Sequence, residues 1–258
     1  MLLSPLWCIT LPLIIAGLPE TQFEATLTYS DGEQTVTISD GLARERGRDY
    51  VVLRAEPALI AWRAGWDAAG RPSFEAHDDQ GAALARALER ALDAFAAAAD
   101  SGDGARWVFS SVIHRDTRAG ASGDAYTGVA HRDLDELAVA NLRRAERARF
   151  FVNAWLPLGE GADDVDPLAL LLPGAEPHLD AAPFLAALGG TDDRTGLRAN
   201  STHSWVWFPR LRAGDVILWR SERVWHAAFA RPGQAPGKSR RSADARFVLV
   251  DPPGPPAD

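Results

Sequence analysis

The sequence has a single cysteine, Cys8, so it cannot form a disulfide framework, a multi-cysteine zinc site or an iron–sulfur cluster. It has no excess of basic residues: 35 acidic and 27 basic side chains give a net charge of −8, which argues against nucleic acid as the main partner. It also has no unbroken apolar run of about 18 residues, the length of a membrane span. Any metal in this protein must therefore be held by histidines and carboxylates.

The first 19 residues are apolar but differ from a targeting segment. No Lys or Arg precedes the apolar stretch, and Pro5 and Pro12 interrupt it, whereas a secretory signal begins with a positively charged region. We interpret residues 1–19 as a strand or packing arm of the domain and expect a cytoplasmic protein. A poor signal sequence or a misassigned start codon is the alternative.

Length and composition fit one large globular domain, since 258 residues with 47% hydrophobic and 24% charged side chains are ordinary for such a protein. An amphipathic helix is predicted over 82–99. Apolar residues recur there at helical spacing from Leu84 to Phe95, and Asp78 and Asp79 supply capping groups just before it. This helix is expected to support the fold rather than to carry chemistry.

Short strands separated by Gly, Pro, Asp and Asn clusters dominate the rest of the chain. Such punctuation predicts a mainly β fold: a sandwich, a jelly roll or a barrel. The proline-rich end, 251–258, is predicted to be a disordered tail. The predicted strands, which begin with a hairpin around Asp31-Gly32, are 23–29, 34–38, 51–53, 107–113, 126–130, 150–156, 168–172, 205–208, 216–219, 225–229 and 246–250.

The spacing His-x-Asp occurs four times, beginning at His77, His114, His131 and His178. On a strand, residues i and i+2 point the same way, so this spacing offers two of the three ligands of a two-histidine, one-carboxylate iron site. His77 directly precedes the predicted helix and His178 lies in a proline-flanked loop. His114 and His131 both end strand-like runs and remain competitors. The later strand with Asn153 in an apolar interior favours His131, because a buried amide needs a partner or a ligand.

A distant histidine could complete such a site. His226 lies between a tryptophan and small apolar residues, so we expect it to face inward, as a ligand or as an ordinary core histidine. Further along, Arg240, Ser242, Asp244 and Arg246 share one face of the last strand. An arginine and a hydroxyl can clamp a dicarboxylate, although a solvated basic loop is the simpler interpretation.

Seven segments, taken in order over about residues 105–250, resemble the CmcJ/NvfI family of iron and 2-oxoglutarate-dependent oxygenases. Each segment is short, but the shared order and spacing are specific. The segments are 131–133 (HRD), 152–158 (VNAWLPL), 166–169 (DPLA), 203–207 (HSWVW), 215–219 (DVILW), 226–229 (HAAF) and 240–246 (RRSADAR).

The resemblance implies a double-stranded β-helix, or jelly roll, with supporting helices. It makes the chain a single oxygenase domain over 1–258: N-terminal strands and a scaffold helix over 1–104, a jelly-roll core over 105–250 and the tail. It also implies functional residues. The implied iron ligands are His131, Asp133 and His226; the implied cofactor-binding residues are Arg240 and Ser242, as the clamp for the distal carboxylate of 2-oxoglutarate, with Asn153 as a nearby polar contact. Arg246 lies on the clamp face, where it would bind an anionic group or pair with an acid.

The sequence departs from the family pattern at three places. Leu156 stands where the family usually has arginine, Leu172 where it has aspartate, and Ser110-Ser111 where it commonly has Asp-His. We expect these positions to touch substrate or cofactor, so the family's substrates are not carried over to this chain.

The expected function is the oxidation of a small organic substrate, by hydroxylation, desaturation or a similar reaction, with secondary metabolites among the candidates. Fe(II), 2-oxoglutarate and O₂ are the expected cofactors, and succinate and CO₂ the expected products. Two alternatives stay open: a non-catalytic jelly-roll binding protein, and a metal-dependent hydrolase or isomerase on the same three ligands. A small molecule is the expected partner, without nucleic acid or membrane, and a homodimer is left open.

Overall fold

The computed structural model describes residues 22–41, 44–97, 105–116, 129–159, 168–172, 181–183, 195–229 and 241–252. Strands dominate these ranges, and helices flank them. The helices are α1 (Pro57–Ala68), α2 (Asp79–Ala97) and α3 (Glu136–Glu146). The strands are β1 (Gln22–Tyr29), β2 (Gly32–Asp40), β3 (Tyr50–Leu53), β4 (Arg106–Asp116), β5 (His131–Arg132), β6 (Ala148–Pro157), β7 (Leu168–Leu171), β8 (Ala181–Pro183), β9 (Thr195–Leu197), β10 (Trp205–Trp207), β11 (Val216–Arg220), β12 (His226–Ala228) and β13 (Arg241–Val250).

The minor sheet has five antiparallel strands in the order β3-β11-β6-β13-β4. Because side chains alternate along a strand, its two faces differ. Val152, Ala154 and Leu156 on β6 join the apolar cluster that also contains the buried residues of α1 and α2. Asn153 and Trp155 point the other way, so polar groups can reach the space between the sheets.

The two helices behind the minor sheet follow simple sequence rules. Helix α1 has a proline in its first turn, and Leu59, Trp62 and Trp66 are buried along one side. Helix α2 is capped by Asp78, whose carboxylate accepts the Gly81 backbone N–H at 2.7 Å. It therefore begins at Asp79, three residues before the predicted start, and Asp79 is a helical residue rather than a cap.

The major sheet has eight strands in the order β1-β2-β10-β7-β12-β5-β9-β8. It curls back on itself, since Thr28 on β1 forms a bridge with Val129, next to β5. Leu27, Tyr29 and Trp205 belong to an apolar cluster inside this curl. A separate apolar cluster, which includes Trp155 and Leu170, fills the space between the major and minor sheets.

Most of the predicted strands are present, and the mainly β prediction is confirmed. Residues 126–128 of the predicted strand over 126–130 lie outside the described part; Val129 forms an isolated bridge, and the two-residue β5 begins at His131. Helices α1 and α3 were not predicted. The interpretations of 1–19 and of the tail concern residues outside the described part, apart from 251–252, and the single-domain assignment stays a prediction. None of the described helices is long and apolar enough to cross a membrane.

Candidate metal centre

Two histidines from distant parts of the chain meet on the face of the major sheet that looks toward the minor sheet. The register of β5 and β12 makes His131 and His226 direct cross-strand partners. Their ring centroids are 4.3 Å apart, and the His226 ring also lies 5.0 Å from that of Trp219 on the minor sheet. The pairing of two short strands thus places two potential ligands side by side.

Asp133, just beyond β5, completes a buried group of three. Its Oδ1 lies 3.7 Å from His131 Nε2, and its Oδ2 lies 3.5 Å from His226 Nε2. One ligand atom from each residue lies within 4.8 Å of the others. First-row metals bind such atoms at about 2.0–2.2 Å, so a single ion can bridge donors at these separations with small adjustments. Two imidazoles and one carboxylate are the donor set of non-haem Fe(II) sites.

The backbone holds both imidazoles in the tautomer that suits a metal. His131 Nδ1 lies 2.7 Å from the Val129 carbonyl oxygen, and His226 Nδ1 lies 3.5 Å from that of Val224. A carbonyl oxygen can only accept a hydrogen bond, so Nδ1 carries the proton and Nε2 keeps its lone pair. In both residues it is Nε2 that faces the carboxylate of Asp133.

The carboxylate of Asp133 is held at both oxygens by the minor sheet. Arg246 Nη2 donates to Oδ1 at 2.8 Å, and Asn153 Nδ2 donates to Oδ2 at 2.5 Å. Asn153 and Arg246 are themselves cross-strand partners on β6 and β13. The ligand group therefore bridges the two sheets, with histidines on one and the carboxylate's partners on the other.

These surroundings set the charges of the group. Burial raises the pKa of a carboxyl, but His226, Arg246 and His131 outweigh it and hold the pKa of Asp133 well below its usual value. Burial, together with repulsion from His131, lowers the pKa of His226 to about 3. At neutral pH the site therefore holds an ionised carboxylate and a neutral His226, the protonation states that metal ligation requires.

The other predicted cofactor-binding residues divide into three groups. Asn153 and Arg246 lie at the centre, where both contact Asp133. Ser242 is fully buried on β13, opposite Pro157 of β6, on the face that also carries Arg246. Arg240 lies outside the described residues.

The competing histidines have different surroundings. The His114 ring lies 4.9 Å from Phe74 and 5.7 Å from Trp66, in contact with aromatic side chains near α1. His77 is exposed just before α2, and His178 lies outside the described residues. Among the described residues, the group at His131 is the one whose donor atoms converge.

Ser221 is the site residue that the sequence analysis missed. It follows β11, is buried, and its hydroxyl donates to Asn153 Oδ1 at 2.5 Å. A serine after a strand usually reads as a turn residue, so no periodic signal marked it. The one available signal was the need of the buried Asn153 amide for partners on both of its sides.

No family model and no curated protein matches this sequence. Solved structures do match. A tryptophan-to-phenylalanine variant of the iron and α-ketoglutarate-dependent endoperoxidase NvfI is 18% identical, with a TM-score of 0.60 over 92% of this chain and 99% of that one. NvfI itself is 17% identical, with a TM-score of 0.58 over 90% and 98%. This chain has the NvfI fold. The jelly-roll prediction is confirmed, and the resemblance read from the sequence holds for the fold along nearly the whole chain.

Proposed function

We propose that the protein is an Fe(II)- and 2-oxoglutarate-dependent oxygenase that oxidises a small organic substrate. The convergence of His131, Asp133 and His226 between the two sheets is the observation that carries this proposal. The fold is a second support, because NvfI is named as dependent on iron and on α-ketoglutarate, another name for 2-oxoglutarate. The proposed metal ligands are these three side chains.

Each of the three proposed ligands has the protonation state that binding of a divalent cation requires. His131 and His226 present Nε2 lone pairs, and Asp133 supplies a negative charge that Arg246 keeps ionised. A ferrous ion bound there would supply the O₂-dependent decarboxylation of 2-oxoglutarate to succinate and CO₂, coupled to oxidation of the substrate. Three protein ligands leave further coordination positions for that chemistry.

The proposed binding site for 2-oxoglutarate lies along β13. Ser242 presents a buried hydroxyl on the face that carries Arg246, and Arg240 is two residues before it, so the two would hold the distal carboxylate together. Two buried indole rings belong to the apolar cluster between the sheets, and that of Trp219 lies 5.0 Å from the His226 ring. Trp155 and Trp219 are at most 2% exposed, so they exclude water from the space between the sheets.

The test uses the purified full chain in two steps. Under anaerobic conditions, Fe(II) and 2-oxoglutarate together should produce a visible charge-transfer band that neither produces alone. Admission of O₂ should then release succinate, even without substrate. His226→Ala should lose both signals, whereas the matched variant His77→Ala, at an exposed His-x-Asp copy, should keep them.

Two other outcomes would replace the proposal. A protein that binds no Fe(II) and releases no succinate would be a jelly-roll binding protein. A protein that binds Zn(II) or Mn(II) at the three ligands, but shows no band and no succinate with 2-oxoglutarate, would fit a hydrolase or isomerase.

A further inference from the structure

We propose that Ser221 is a positioning residue for the metal centre, acting through Asn153 on the ligand carboxylate of Asp133. This proposal rests on the metal site of the proposed function and adds a residue that touches neither metal nor substrate. The three side chains form a line of two hydrogen bonds, Ser221 to Asn153 and Asn153 to Asp133, each 2.5 Å long.

The direction of each hydrogen bond follows from chemistry. An ionised carboxylate can only accept, so the Asn153 atom that faces Asp133 must be the NH₂ group. The carbonyl oxygen of the same amide then faces Ser221, and the serine hydroxyl must donate to it. Ser221 thus fixes which end of the Asn153 amide meets the ligand.

Because both residues are buried, the orientation of the Asn153 amide depends on the Ser221 hydroxyl. Asn153 is fully buried and Ser221 is 4% exposed, so water has little access to replace either partner. Without the serine hydroxyl, the amide carbonyl is left unpaired inside the protein, and rotation of the amide would turn that oxygen toward the negatively charged Asp133. Either arrangement weakens the hydrogen bond that Asn153 donates to Asp133 Oδ2.

The backbone holds Ser221 in place independently of its side chain. Its N–H donates to the Phe151 carbonyl on β6 at 3.2 Å, and the preceding residue, Arg220, pairs with Val152 in the sheet. The hydroxyl is therefore presented from a fixed backbone to a fixed strand. Loss of the hydroxyl should leave the backbone unchanged and alter only the orientation of the Asn153 and Asp133 side chains.

The experiment measures Mn(II) affinity in the full chain without 2-oxoglutarate or O₂. Outer partners of metal ligands, here Asn153, typically contribute about 10–100-fold in affinity, so Ser221→Ala, which acts through Asn153, should raise the Kd for Mn(II) several-fold and by no more than about that factor. Ser221→Thr keeps the hydroxyl and should recover most of the affinity. Ser73→Ala is the matched control, because this exposed serine lies between α1 and α2, outside the metal centre, and should leave the Kd unchanged.

A double-mutant cycle distinguishes action through Asn153 from a general structural effect. In an Asn153→Ala background, Ser221→Ala should have almost no further effect on the Kd, since the link is already broken. Additive effects of the two substitutions would overturn the proposal, as would an unchanged Kd for Ser221→Ala. The visible spectrum of bound Co(II) gives a second readout, and it should change in Ser221→Ala but not in Ser73→Ala.

The measurements also separate this proposal from the one on which it rests. If the wild-type chain binds no Mn(II), or if His131→Ala binds it equally well, the metal site itself is wrong. If the wild type binds Mn(II) through His131 and Ser221→Ala binds it equally tightly, only the role of Ser221 fails. Melting temperatures of the metal-free variants show whether each one folds.

Discussion

The same tripeptide, His-Arg-Asp, occurs at 114–116 and at 131–133, and the two copies have different surroundings. His114 lies within the long strand β4, against Phe74 and Trp66. His131 lies in the two-residue strand β5, directly opposite His226. The tripeptide alone therefore does not make a ligand pair. What distinguishes the second copy is a neighbouring strand that brings a second histidine.

The largest expected effect comes from removing the histidine of each copy in turn. His131→Ala deletes a direct ligand and should weaken Fe(II) binding by more than about 100-fold, beyond the effect of an outer partner, with loss of the charge-transfer band. His114→Ala should keep the band and lose about 1 kcal/mol of stability from its aromatic contacts. Anaerobic titration with Fe(II) and 2-oxoglutarate, together with urea unfolding, measures both. Loss of the band in His114→Ala with retention in His131→Ala would reverse the comparison.

A second prediction concerns Arg246, the positively charged side chain that pairs with Asp133 of the second tripeptide. Arg246→Met leaves the Asp133 carboxylate, 2% exposed, without its positive partner. We expect a loss of about 2–3 kcal/mol in the metal-free protein, below the effect of breaking a fully buried pair because the Arg246 side chain is 34% exposed. Saturating Mn(II) should restore much of this stability, since the metal supplies positive charge at the same carboxylate.

Urea unfolding with and without Mn(II) provides the measurement for Arg246→Met. The matched variant Arg143→Met, at an exposed position on α3, should change stability by less than about 0.5 kcal/mol. Equal stability of the two variants would mean that Arg246 does not stabilise the carboxylate.

The smallest expected effect is a pH dependence of the metal-free protein. His226 has a pKa of about 3 when folded and about 6.5 when unfolded, so the unfolded chain binds more protons between these values. Stability from the neutral ring is therefore complete above pH 6.5 and is lost as the pH falls toward 3. Each pKa unit corresponds to about 1.4 kcal/mol, so about 2 kcal/mol should be lost between pH 7 and pH 5.

This pH effect can be assigned by one substitution. His226→Gln should flatten the dependence between pH 7 and pH 5, because glutamine does not titrate. The lowered pKa of Asp133 adds a loss only below about pH 4, where the aspartate of the unfolded chain takes up a proton that the folded carboxylate does not. A wild-type protein whose free energy of unfolding is constant from pH 7 to pH 5 would contradict the prediction.

Local patterns predicted most of the strands but not how the strands meet. The alternation and turn residues of β6, β11 and β13 are visible in the sequence, and Asn153 in an apolar strand signalled a buried polar contact. The choice between His114 and His131 depends on the register of β5 against β12, a pairing across about 95 residues that no local pattern specifies. In the sequence, Asn153 favoured His131, and the family resemblance then decided between the two histidines.

The helices that were missed had partial signals. Helix α1 has Pro57 at its start and buried residues at helical spacing, and α3 is capped by Asp135, which accepts the Ala138 N–H at 2.6 Å. In α3 the exposed Leu137 blurs the amphipathic pattern. The partner of Arg246 could not be predicted either, because its contact with Asp133 depends on two sheets packing face to face.

The curl of the major sheet has a consequence for how the centre is supported. The Val129 carbonyl, which orients the His131 ring, belongs to the residue that bridges to Thr28, and the next N–H, from Ala130, donates to the Thr28 carbonyl at 2.7 Å. The amino-terminal hairpin thus supports the backbone next to His131, a proposed ligand more than one hundred positions further along the chain. A truncated protein without that hairpin would lose the backbone contacts that hold Val129 in place, and with them part of what orients the His131 imidazole.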